Sequence, residues 1–118
     1  MPRNVSMADS TAIAANAQSL NVFANNAFVR APFHGLVTLL ATGSAVGLEM
    51  QLMVAGQLAV ERQPMNTNNR VPIMPDDIVI SDVEVREGQL IQLSVFNTTA
   101  GSLTPRTKII IEEGELVY

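Results

Sequence analysis

From Phe28 onward the chain is built of short runs rich in Val, Ile, Leu and Thr, broken by Gly, Pro, Asn or Asp about every ten residues, a spacing that belongs to sandwiches and barrels. Within the runs the apolar residues alternate with period two. Leu48, Met50, Leu52 and Val54 share one strand face, with Glu49, Gln51 and Met53 on the other. Ile91, Leu93 and Val95 repeat the pattern, as do Ile109 and Ile111 within a last strand over 107–112. A further strand is expected over Leu36–Ala41. Leu58 and Val60 carry the alternation to Pro64, with a bulge expected at Gly56. Ile78 and Ile80 open another strand, and Val83 and Val85 follow after a one-residue phase change at Ser81-Asp82 that predicts a bulge or bend. Between these strands, 65–70 has the chemistry of an exposed loop, Pro72 and Pro75 keep the chain extended up to Asp76-Asp77, and Glu87-Gly88 turns it. The expected fold is all-β, an antiparallel β-sandwich of jelly-roll type over 27–118, with the named aliphatic residues inside.

Residues 1–26 read differently. They hold Pro2, many Ala, and five Asn or Gln between Asn16 and Asn26, without a clear strand or helix period. No charge occurs from Ser10 to Val29, whereas a solvated disordered tail is usually charge-rich. The segment is expected to be an extended N-terminal arm lying on its own domain or on a neighbour, with Ile13, Leu20, Val22 and Phe23 as apolar anchors. Leu116, Val117 and Tyr118 are expected to dock rather than fray.

Composition narrows the function. Across 118 residues, 47% are hydrophobic and only 15% charged, low against roughly 25% in an average soluble domain. A surface poor in charge is weakly protected against association, which favours a chain that buries outer surface against partners. Homo-oligomerisation is expected, a trimer ahead of a dimer. The net charge is -4 and the basic residues are scattered, so no run is available to track a phosphate backbone and nucleic acid is not an expected partner. The stretch 31–48 lacks charge but is interrupted by Pro32, His34 and glycines, so no membrane span is expected. Arg3 alone makes a poor signal-peptide start.

Catalytic chemistry finds little to use. Cysteine is absent, which removes thiolate metal sites and cysteine nucleophiles. The one histidine, His34, has no nucleophile elbow to serve and reads as a half-buried side chain. Asp76, Asp77, Asp82, Glu84 and Glu87 could offer oxygen ligands to a hard cation, but their spacing is not that of an EF-hand and a turn explains Asp76-Asp77. A glycosidase pair would have to come from these carboxylates or from Glu112, Glu113 and Glu115, and Trp is absent as a sugar platform. Gly43 to Gly47 is not a phosphate loop. The expectation is a non-enzyme without cofactor or metal. Met50 reads as core, while Met65 and Met74 flank loops and are candidate adaptable contacts with a partner protein.

The stretch from about Phe33 to Glu112 resembles the small jelly-roll or sandwich cement (decoration) proteins of tailed bacteriophage capsids. The likeness is carried by GLEMQLMVAGQLAVERQPMNTNNRVPIMPDDIVISD and EGQLIQLSVFNTTAGSLTPRTKIIIEE: an Asn-rich loop, a Pro-Asp-Asp turn, and an Asn-Thr-Thr-Ala break before the last strand. It implies a virion protein on the capsid exterior, dimeric or trimeric, that clamps subunits of the major capsid protein. Rival readings are another virion part, such as a head-fibre base, minor capsid or tail protein, and a small-ligand or sugar-binding β-barrel.

Overall fold

The computed structural model describes residues 3–68, 70–74 and 76–114; Pro2, Pro75, Glu115, Leu116, Val117 and Tyr118, named above, lie outside them. Eight strands are present: β1 (Asn4–Asp9), β2 (Gln18–Ser19), β3 (Gly35–Gly43), β4 (Leu48–Val54), β5 (Gln57–Pro64), β6 (Ile78–Val85), β7 (Ile91–Asn97) and β8 (Pro105–Glu113). They form two four-stranded antiparallel sheets, ordered β1-β8-β3-β6 and β2-β7-β4-β5. Among the described residues there is no helix.

The pairing has a simple logic. β1 pairs with β8, β2 with β7, β3 with β6 and β4 with β5, all antiparallel. The chain is one long hairpin folded back at residues 55–56 and then rolled, so that β3 also meets β8 and β4 also meets β7. That is the double-sheet jelly roll. Its tip is a two-residue turn in which Ala55 and Gly56 have φ of 54° and 79°. Positive φ at both positions suits the twist of the flanking strands. The bulge expected at Gly56 is therefore a turn, and the irregular pairing of β4 with β5 falls between Met50 and Met53.

The period-two residues line the space between the sheets. Leu48, Met50, Leu52, Val54, Ile91, Leu93, Val95, Ile109 and Ile111 are all buried, as their alternation predicts. Ile78 and Ile80 are only half-buried, because β6 is an edge strand whose register shifts against β3 where Asp82 takes a φ of 60°. The expected phase change at Ser81-Asp82 is that bulge. On β3 the burial runs through both faces. Leu40 and Thr42 point away from the core yet are covered, since the 65–77 loop bonds back to β3 there.

Within the expected arm, residues 3–26 lie on the chain's own domain: β1 supplies the outer partner of β8 and β2 that of β7, with Val22 N–H donating to Leu93 C=O at 3.0 Å. Met7 and Phe23 are buried in the same core as the later strands. The physical reason is closure. A jelly roll needs its first strands as partners for its last, and without them β7 and β8 would be long unpaired edges.

Candidate functional site

The connections at one end of the roll, 10–17, 44–47, 65–77 and 98–104, are stitched to one another by backbone hydrogen bonds. Ile13 and Leu103 exchange a pair at 2.8 and 3.1 Å, Asn16 N–H donates to Thr99 C=O, Thr98 N–H to Gly47 C=O, Ser44 N–H to Thr104 C=O and Gly43 N–H to Asn66 C=O. Buried Asn97 is the hub. Its Nδ2 donates to the carbonyls of Ile13, Ala14 and Gly101, while its Oδ1 accepts from the backbone and hydroxyl of Thr99. The Asn-Thr-Thr-Ala break of the sequence thus locks three loops together.

This end is nearly free of charge. The connections 10–17, 44–47 and 98–104 contain no Asp, Glu, Lys or Arg. In 65–77 the charges are Arg70, Asp76 and Asp77, and they pair among themselves. At the opposite end the connections carry Arg30, Arg86 and Glu87, near the Arg3–Glu113 ion pair. Apolar side chains stand out of the charge-poor end: Val46 is 82% exposed, Val71 72%, Met74 57% and Ile73 44%.

The loop bearing Val71, Ile73 and Met74 is held from within by Asp77. The Asp77 carboxylate is buried and accepts from Ile73 N–H at 2.9 Å, Asn68 Nδ2 at 3.0 Å and Arg70 Nε at 3.2 Å. The backbone of Asp77 bonds on both sides, its N–H to Ile73 C=O and its C=O from Ala41 N–H. Thr42 Oγ1 donates to Arg70 C=O at 2.6 Å and Asn66 Nδ2 to Ala41 C=O at 2.7 Å, fixing the loop to β3. These donors, the Ile73 N–H first and the Arg70 guanidinium second, hold the Asp77 carboxyl below its ordinary 3.8. A carboxylate with a depressed folded-state pKa adds stability above its unfolded value and loses it as pH falls through the folded one. The loop is therefore expected to stay ordered at neutral pH and loosen below about pH 4. Asp77→Asn, which removes the charge at all pH values, should raise trypsin cleavage after Arg70 at pH 7.5 by at least about tenfold while the sheets keep their protection. Unchanged cleavage would show that the loop does not depend on the carboxylate.

No matching family model, curated protein or solved structure was found for this chain.

Of the six residues singled out as partner contacts, two face solvent. Met74 lies in the charge-poor end and Leu20 beside β7, where its carbonyl accepts from Ser94 Oγ and Gln92 Nε2. Ile13 and Phe23 are buried in the chain's own core and Val22 is half-buried against it, so of the two surfaces open to these anchors they meet that of their own domain. Met65 is buried too, its N–H bonded to Leu48 C=O, and fills space under the loop. Val46, Val71 and Ile73 were missed; aliphatic residues among the Gly, Asn and Pro of two loops were the signal. The acidic residues 76–87 do not converge, and among the described residues no group of three or more His, Asp or Glu is placed to hold a metal ion. His34 is half-buried with Nδ1 unpartnered, in a shallow recess beside Arg3, Phe33, Glu87 and Glu113.

Proposed function

We propose that this chain is a virion structural protein, a cement (decoration) protein that docks on the outside of a tailed-phage capsid and stabilises the major capsid lattice. The observation that carries the reading is the charge-poor end of the roll, where four connections are hydrogen-bonded together and two of them present Val46, Val71, Ile73 and Met74. A monomer gains nothing from exposing aliphatic side chains on a loop and then rigidifying that loop. A docking surface gains twice. Burying those side chains in a partner returns about 25 cal/mol per Å² of apolar area, and a loop already ordered by Asp77 loses little conformational entropy on binding. Charge depletion at the centre of a contact removes the desolvation cost that rim charges avoid. The jelly roll supplies a stiff body, and its topology is one that viral capsid domains share with lectins and cupins.

The test is co-sedimentation with purified heads stripped of their outer proteins. Full-length chain is expected to bind, and Val71→Asp or Met74→Asp to weaken binding by at least about tenfold with circular dichroism unchanged. Leu58→Asp, on the exposed β5 edge, should bind as the parent does. Equal binding by all variants would remove the four-loop end from the contact, and no binding by the parent would remove the capsid reading.

A further inference from the structure

Each sheet leaves two edges, and the four differ in how they are protected. β2 has only two residues. β5 pairs irregularly with β4 and carries Glu61, Arg62 and Pro64. β6 is broken by the bulge at Asp82 and shows the exposed Glu84. These are the devices that keep sheet edges from pairing with another chain. β1 has no break, bulge or proline, and its one charged residue, Asp9, stands at its end. Its register with β8 is unbroken from Asn4 to Asp9, and no proline, glycine or charged residue stands between Arg3 and Asp9.

The backbone groups available on that edge follow from the ladder. Glu113 N–H donates to Arg3 C=O, and Thr107 Oγ1 donates to Asp9 C=O, so the odd-numbered residues turn their backbone toward β8. Alternation then turns the N–H and C=O groups of Asn4, Ser6 and Ala8 outward. We infer that this edge pairs with the same edge of a second copy of the chain, antiparallel about a two-fold axis at Ser6, joining the two β1-containing sheets into one continuous sheet.

The register is chosen by charge. Centred on Ser6, Asn4 of one copy faces Ala8 of the other and Ser6 faces Ser6, the three positions whose backbone groups are free. Each such pair exchanges two hydrogen bonds. Arg3 then stands opposite Asp9 at both ends, on the same face of the joined sheet, and unlike charges directly opposite across strands are favourable. Half-buried Val5 falls opposite Met7, so the apolar side of the edge is covered as well. Centring on Asn4, Val5, Met7 or Ala8 leaves fewer β1 residues paired and Arg3 and Asp9 unmatched, while an axis between two residues opposes outward groups to ones already bonded to β8. The contact is isologous and closes at two copies. It concerns free chains and stands apart from the docking reading.

The chain has no cysteine, which gives a direct test. Ser6→Cys is expected to form a disulfide-linked dimer under mild oxidation at least about tenfold faster than Ser81→Cys, because hydrogen-bonded partners about 5.5 Å apart lie within disulfide range. Sedimentation equilibrium at about 100 µM should give a dimer for the parent and for Ser6→Ala. Ser6→Pro removes the central outward donor without touching a β8 bond, and should raise the dissociation constant by at least about tenfold. A monomeric parent, a dimer or trimer indifferent to Ser6→Pro, or equal cross-linking of the two cysteine variants overturns the inference. Should Ser6→Pro fail to fold, the cysteine pair decides alone.

Discussion

Deleting residues 1–21 is expected to abolish cooperative folding. β1 and β2 are the outer partners of β8 and β7, so the deletion exposes both ladders along one side of the roll. It also removes Met7 and Ile13 from the core. Truncation of one large buried aliphatic side chain costs about 2–5 kcal/mol. Asn97 loses the carbonyls of Ile13 and Ala14 and keeps a buried amide with only Gly101 to bond, a further cost of about 1–3 kcal/mol. Asn21, whose Nδ2 donates to Ile91 C=O and whose Oδ1 accepts from Leu93 N–H, leaves as well. Against a total stability of about 5–15 kcal/mol for a small domain, these losses consume most or all of it. Urea titration followed by circular dichroism checks this: the full chain should give a single sigmoid and the truncated one a featureless slope. A truncated chain unfolding at the parent's midpoint would mean that the roll closes without its first two strands, and residues 1–26 would again be an arm.

Why the first strands escaped sequence reading is a matter of where their partners lie. β4, β7 and β8 pack one face on the core and carry runs of alternating apolar residues, Leu48 to Val54, Ile91 to Val95 and Ile109 to Ile111, so alternation identifies them. β1 offers only Val5 and Met7 on its inner face and small residues outside, and β2 is two residues long. Their strand character comes from β8 and β7, whose residues are some hundred positions away in β1's case, and no local pattern reports such a pairing. Phe23 is buried from an irregular stretch that has no period to read. The charge-poor end was half legible for a related reason. Met74 was visible as an apolar residue in loop chemistry, but nothing local separates it from Met65, which the loop folds beneath itself. Asp77 read as a turn former, and it does sit where the loop enters β6. Its larger role, gathering Asn68, Arg70 and Ile73 around one buried carboxylate, depends on a fold-back onto β3 that only the closed structure supplies.

Leu52 and Leu93 carry the second large expected effect. They lie directly opposite each other on β4 and β7, both fully buried between the sheets. Leu52→Ala and Leu93→Ala should each lower stability by about 2–5 kcal/mol, the spread reflecting how far the walls can collapse into the cavity. The two cavities would merge, so the double variant is expected to depart from additivity by about 0.5–3 kcal/mol. On the outer face of the same sheet, Met53 stands opposite Leu58, and Met53→Ala should cost under about 1 kcal/mol because solvent already reaches that pair. Urea unfolding of all four variants separates these cases, and near-equal costs for Leu52 and Met53 would contradict the placement of the core. The interior pair also bears on the proposed docking. β4 and β7 run directly into the 44–47 and 98–104 connections, which are joined by the Thr98 to Gly47 hydrogen bond. Loosening the sheets beneath them should return to those loops the conformational freedom that their bonding removes, so weaker attachment to stripped heads is expected from the Leu52 and Leu93 variants even under conditions where they remain folded.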